Sequence, residues 1–297
     1  MSKILLAEVN VSEGTNPQKI EKMTAALKGT AEIIVIDQNS DKDHNRTVYT
    51  YIGTPEAVLQ ATKKLTDAAI ELINMAEQKG SHPRMGAVDV VPFVPVRNVS
   101  NEEALAIARA YGEYLGAKGV PVFYYEDAAT RPERKLLVDI RKGQYEALPE
   151  KMKDEAWRPD AGPLAFVPKS GATVTGVRFP LVAFNVNLRT EDLEIGKAIA
   201  KRMRFSTGGL RYVRAIALPL EEKKMIQVSM NLTNYKETPI AIVYDMVRSL
   251  AATYGVAIAE TELVGPVPLD ALEGMVRHCL QVHAFSVEQI IETNLLS

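Results

Sequence analysis

The chain repeats itself, and the repeat constrains its fold more than any other feature. LVAFNVN (181–187) resembles LAEVNVS (6–12), with Asn185 in the place of Asn10. Thr54-Pro55 and Thr238-Pro239 each open a stretch of helical spacing. Threonine suits an N-cap and proline the first helical position, where its missing N–H would have had no partner anyway. TELVGPVPL echoes VVPFVPV. Thr54 and Thr238 lie 184 positions apart, Val94 and Val267 173 apart, so the offset holds to within small insertions.

Each copy reads in the same order. In the first, a strand near 3–9 leads to a helix near 17–28. Strands near 31–37 and 46–52 flank the polar hairpin QNSDKDHN. The helix after Thr54-Pro55 carries Val58, Ala61, Leu65, Ala68, Leu72 and Met75 at three-four spacing. GAVDVVPFVPV follows, and its two prolines predict an edge strand or an early strand end. Ser100 and Glu103 form a capping box for a further helix, and VPVFYY (120–125) is a further strand. The second copy has LVAFNVN, a helix near 190–203, strands near 211–219 and 225–233, the helix after Thr238-Pro239 and the strand TELVGPVPL. The expected fold class is α/β (α+β), with two related βαββαβ units, 1–178 and 179–297.

Composition narrows the function. A net charge of -2 argues against a nucleic-acid binder, which needs a basic excess or stripe. A single cysteine, Cys279, rules out an internal disulfide and fits a reducing compartment. No apolar run approaches the ~20 residues of a membrane span, and MSKILLAEVNVSEG is too short in apolar residues for a signal peptide. The expectation is a cytoplasmic protein. His278, Cys279 and His283 do not make a metal site, because a five-residue spacing turns a helix by about 500° and points the histidines apart.

The stretch GSHPRMGAVDV (80–90) is the one chemical motif that stands out. Pro83 holds the residue before it extended, and Gly80 and Gly86 mark tight backbone on either side of His82. A residue that titrates near neutral pH is thus held at a constrained point, although an incidental loop histidine is the alternative. Between the repeats, 126–178 lacks periodicity, and WRPDAGPLAFVPKSGATVTG mixes prolines and glycines with Trp157, Phe166 and Val167. Irregular segments of this length are functional or disordered, and these apolar residues argue against disorder.

Several motifs together closely resemble the formiminotransferase family: N-V-S-E-G (10–14), H-N-R-T-V-Y-T (44–50), H-P-R-M-G-A-V-D-V-V-P-F-V-P-V (82–96), A-T-R-P-E-R (129–134), R-K-G-Q-Y-E-A-L-P-E-K (141–151), G-P-L-A-F-V-P-K-S-G-A-T-V (162–174) and V-A-F-N-V-N-L (182–188). The match covers nearly the whole chain in order. The resemblance implies two subdomains whose sheets face each other around a substrate tunnel, and a homodimer. It implies transfer of a formimidoyl group from N-formimidoyl-L-glutamate to tetrahydrofolate, with no metal and no nucleic-acid or membrane partner. It puts the catalytic histidine on His82. The folate-binding segment falls on Gly162, Pro163, Leu164, Ala165, Phe166, Val167, Pro168, Lys169, Ser170 and Gly171. One departure is the N-terminal motif, where many members read E-C-[VI]-P-N-F-S-E-G and this chain has Leu6, Ala7, Glu8 and Val9 before Asn10.

Given that reaction, one imidazole can take a proton from N5 of the folate and return it to the departing nitrogen. A protonated amidine calls for a carboxylate, Asp37 or Asp89. The donor's own carboxylates call for arginines, and Arg46, Arg84 and Arg178 lie in or beside the matched motifs. Alternatives left open are formimidoylglycine as donor, formyl transfer between 5-formyltetrahydrofolate and glutamate, and a non-catalytic folate-binding module.

Overall fold

Alternation along ILLAEVNV puts Leu5, Ala7, Val9 and Val11 on one face of strand β1 (Ile4–Val11), and all four are fully buried. The computed structural model that shows this describes residues 3–295. Helix α1 (Pro17–Lys28) starts where the Asn16 side chain accepts the Gln18 and Lys19 N–H groups. Strands β2 (Ile33–Asp41) and β3 (Arg46–Gly53) follow, then α2 (Pro55–Leu72), with the Thr54 hydroxyl capping the Ala57 N–H as the Thr-Pro pair predicts. The first repeat closes with β4 (Val88–Arg97). The chain continues through α3 (Asn101–Ala117), β5 (Val122–Glu126), the short helices α4 (Leu137–Arg141) and α5 (Gln144–Lys151), and β6 (Thr173–Val177). Ser100 and Glu103 form the expected capping box on α3.

After Arg178 the chain enters a second compact unit. It contains β7 (Val182–Leu188), α6 (Leu193–Met203), β8 (Val213–Leu220), β9 (Met225–Leu232), α7 (Ile240–Thr253), β10 (Ile258–Val264) and α8 (Leu269–Leu280). Its sheet has the order β10-β7-β9-β8, and the first repeat has the equivalent order β4-β1-β3-β2. All pairings within both sets are antiparallel. The duplicated βαββαβ pattern is therefore real. Asn10 and Asn185 occupy the same place in each, on the first strand and on the face turned away from the main apolar core.

Three details differ from the sequence reading. First, β4 is central, paired with β1 on one side and β6 on the other. Its prolines are tolerated because the β1 ladder is interrupted where they fall. Pairing runs to Ala7↔Phe93 and resumes at Asn10↔Val90, leaving Pro92 in the gap, and Pro95, opposite Leu5, sits at the register shift between Leu5 and Ile4. Second, β6 joins the sheet between β4 and β5, parallel to both, although TVTGV has no alternation to announce it. Third, α7 begins at Ile240, and the Thr238 hydroxyl donates to the Arg211 carbonyl instead of capping the helix.

The six-stranded sheet of the first unit is covered unevenly. One face packs on α1, α2 and α3 in a single apolar core. On the other face, β4, β5 and β6 are covered by Ile140, Leu148, Met152, Trp157 and Phe166 from the irregular region. That region is secured by Arg134, which is buried, donates to the Ala156 and Arg158 carbonyls, and pairs with Asp160 at 2.8 Å. Removing one partner of a buried pair strands the other charge, which costs about 3–5 kcal/mol. Arg134→Ala is therefore expected to lower unfolding stability by that amount in urea titration, while Lys118→Ala, at the exposed pair with Asp67, changes it by about 1 kcal/mol or less.

Candidate active site

Residues 73–87 connect α2 to β4 and carry His82, whereas the matching connection between α7 and β10 spans only 254–257. The long connection is held on every side. The Ser12 hydroxyl donates to the Gly86 carbonyl at 2.8 Å, and the Ser12 N–H to Ala87 at 2.9 Å. Asn45 accepts the Gly14 N–H and donates to the Lys79 carbonyl. Gly80 packs so closely on the His44 carbonyl that a Cβ would come within 2.4 Å of it. The motifs N-V-S-E-G, H-N-R-T and H-P-R-M-G, remote in sequence, thus form one locality.

His82 is half-buried there. An Arg46 guanidinium N–H donates to its Nε2 at 2.8 Å. A guanidinium has no acceptor, so Nε2 carries the lone pair and, in the neutral ring, the proton is on Nδ1. Burial is the main force that pushes the imidazole down to about 3, and the charges of Arg46, Arg141 and His44 add to it. The Pro83 carbonyl, hydrogen-bonded to the ring, opposes them. The sequence alone suggested a ring near its ordinary value. The structure instead gives one that is neutral throughout the physiological range and a weak base.

Arg141, at the end of α4, was not singled out from the sequence. It pairs with the buried Asp89, whose second oxygen accepts the Met85 N–H at 2.8 Å. Burial raises the Asp89 carboxyl against the pull of Arg141 and that N–H. Lys151 donates to the carbonyls of Asp139, Ile140 and Lys142, pinning the end of α4 that presents Arg141. Only the motif R-K-G-Q-Y pointed there, and nothing local distinguishes its arginine from a surface one.

The segment 162–171 is a strap fixed at its ends. Gly162 and Gly171 both have positive φ, +83° and +64°. A Cβ on Gly162 would meet the Val120 carbonyl at 2.3 Å, and one on Gly171 the Met85 carbonyl at 2.2 Å. Glycine is required here by the protein's own backbone. Gly171 bridges to Gly86, and Ala87 donates to the Ser170 carbonyl, so the strap and the His82 loop share one anchor. Between the anchors Leu164, Ala165, Pro168 and Lys169 are exposed. Phe166 packs on Tyr145 with the rings tilted 59° and centroids 5.4 Å apart, and the Tyr145 hydroxyl donates to the Pro168 carbonyl.

The other expected residues fall outside the cluster. Arg84 lies over the Tyr145 ring and is gripped by both oxygens of Glu146. Arg178 pairs with Glu8. Asp37 lies opposite Thr50, on the same face of the sheet as Arg46 but two pleats along β3, about 13 Å away at the usual strand rise. No hydrogen bond or ion pair joins Asp37 to His82 among the described residues. No group of three or more potential metal ligands occurs among them either, and no helix is long and apolar enough to cross a membrane.

Residues 4–178 match the formiminotransferase domain, N-terminal subdomain, and residues 183–294 match the formiminotransferase domain. A glutamate formimidoyltransferase of Streptococcus pyogenes is 40% identical across 100% of both chains. One from Thermoplasma acidophilum is 41% identical over 96% of this chain and 95% of its own. A formimidoyltransferase-cyclodeaminase of Rattus norvegicus is 41% identical over 97% of this chain but only 55% of its own.

The depressed imidazole has a measurable consequence. Its folded value, about 3, lies below the ordinary 6.5 of the unfolded chain. Between those values the unfolded state binds the extra proton, so stability falls as pH drops below about 6.5, down to about 3. His82→Gln is expected to flatten part of that slope in urea titrations from pH 4 to 7. An unchanged slope would mean that His82 is not perturbed.

Proposed function

The chain belongs to the formiminotransferase family, and from that premise we propose that it moves a formimidoyl group from N-formimidoyl-L-glutamate to N5 of tetrahydrofolate. The observation that carries the reading is His82, held by a dedicated fifteen-residue loop beside two guanidinium groups and anchored to the strap 162–171.

The amine N5 attacks the amidine carbon, forming the new C–N bond and a tetrahedral carbon. His82 takes the proton from N5 and delivers it to the glutamate nitrogen as the old C–N bond breaks. The products are 5-formimidoyltetrahydrofolate and L-glutamate, with one proton moved from one nitrogen to the other. The carboxylates of the donor suit Arg46, because a guanidinium binds a carboxylate through parallel hydrogen bonds. Arg84, Arg134, Arg141 and Arg178 already have carboxylates in Glu146, Asp160, Asp89 and Glu8, which leaves Arg46 the first choice. The strap offers folate an exposed backbone and the Phe166–Tyr145 ring pair, an apolar surface for a flat heterocycle. Tetrahydrofolate as co-substrate, a role in histidine breakdown, a cytoplasmic location and a homodimer belong to the same proposal.

Three outcomes are expected. The purified protein forms 5-formimidoyltetrahydrofolate from formimidoylglutamate, and formimidoylglycine is poorer by well over tenfold in kcat/KM, since a lost charged contact is worth about 1.5–3 kcal/mol. Equal efficiencies would reassign the donor. His82→Ala lowers kcat by about 10²–10⁴ while folate affinity holds. A folded variant with full kcat removes His82 from the chemistry. Phe166→Asp weakens folate binding in calorimetry because it sets a charge in the ring slot. Unchanged affinity would exclude the strap.

A further inference from the structure

Four arginines built into the first unit have a carboxylate within ion-pair distance: Arg84 with Glu146, Arg134 with Asp160, Arg141 with Asp89, and Arg178 with Glu8. Arg46 has none among the described residues. Its hydrogen bond goes to the lone pair of His82, a neutral partner for a half-buried cation. The groups that face the ring are Arg46 from β3, Arg141 from α4, His44 from the β2–β3 hairpin and the Pro83 carbonyl. Asp41 and Asp89 stand behind the guanidinium groups, and each is already engaged: Asp41 with His44, Asp89 with Arg141. The Arg141 Nε is buried and has no hydrogen-bond partner. The locality is short of one anion, and the base is blocked by the cation that lacks it.

We propose that Arg46 is a latch on His82: in the empty site it occupies the ring's lone pair, and a carboxylate of the arriving donor draws it away, so that the ring becomes a working base only with donor in place. The inference rests on the transferase reading above. A carboxylate is the stronger partner, because both ends of the contact are charged and two parallel hydrogen bonds can form. Its arrival frees Nε2 and cancels a positive charge facing the ring. Both changes favour the protonated imidazole and move it toward the range where it can shuttle a proton near neutral pH. Arg46 is in this sense a positioning residue for His82 as well as a contact for the donor.

The test compares wild type with Arg46→Met at saturating tetrahydrofolate. The pH dependence of kcat/KM for formimidoylglutamate reports the enzyme before the donor binds, and that of kcat the full complex. In wild type the acid limb of kcat/KM is expected at least one pH unit below that of kcat. In Arg46→Met the two limbs should coincide, and KM should rise tenfold or more. Coincident limbs in wild type, or limbs still apart in the variant, overturn the latch, since a merely structural Arg46 would change rates without moving a limb. A second measurement needs no variant. Histidine-labelled wild type is titrated by NMR with and without L-glutamate, at concentrations where calorimetry shows binding. The His82 ionisation should rise by at least one pH unit with glutamate, and no rise overturns the proposal. An enzyme that transfers nothing from formimidoylglutamate refutes the functional reading instead, and the NMR titration still decides the latch.

Discussion

Gly86 and Gly171 meet across a single antiparallel bridge with no room for a side chain between the two backbones. Much depends on that contact. It ends the loop that carries His82, it ends the strap that runs over the sheet, and it delivers the chain into β6, which joins β4 to β5. If a methyl group were added on either side, the two backbones would have to separate. Ala87, Ala172 and Ser170 would then lose the hydrogen bonds that hold the His82 loop and the strap in register. A glycine pair does here what a disulfide does elsewhere, through close approach and backbone hydrogen bonds alone.

Charge is the second organising quantity. In the first unit, Arg84, Arg134, Arg141 and Arg178 are each given a carboxylate from a distant part of the chain. Glu8 lies 170 positions from Arg178, and Glu146 62 positions from Arg84. These pairs fix where the irregular region sits on the sheet. Such pairs are weak evidence for stability, since solvent screening and desolvation offset much of their attraction, but they are strict about geometry. The exception at Arg46 is informative because its neighbours follow the rule.

The elements that could be read from the sequence are those whose signals are local. Thr54-Pro55 caps α2, Ser100 and Glu103 cap α3, and alternation in ILLAEVNV marks the buried face of β1. β6 could not be read, because a five-residue strand buried on both faces shows no alternation and TVTGV contains a glycine. The central position of β4 was hidden for a related reason: whether a proline is tolerated depends on where the neighbouring ladder is interrupted, and that is a property of two strands. In the site, His82 stood out through its flanking glycines and proline. Its titration did not, because its burial, and then the charges of Arg46 and Arg141, come from other elements of the fold. Arg84 and Arg178 looked equivalent to Arg46 until their carboxylates were seen. Sequence gives residue types, while the supply of partners is set by the fold.

The unequal connections in the two repeats bear on how such a protein could arise. α2 and β4 are joined by 73–87 and α7 and β10 by 254–257, although the strands and helices on either side correspond. The second copy shows that the same order of strands and helices can close with a connector of four residues. Duplication therefore separates two kinds of selection within one chain. One connector only closes the motif, while the other also carries a histidine and meets a strap. The short connector is a natural control for the long one, carried in the same molecule.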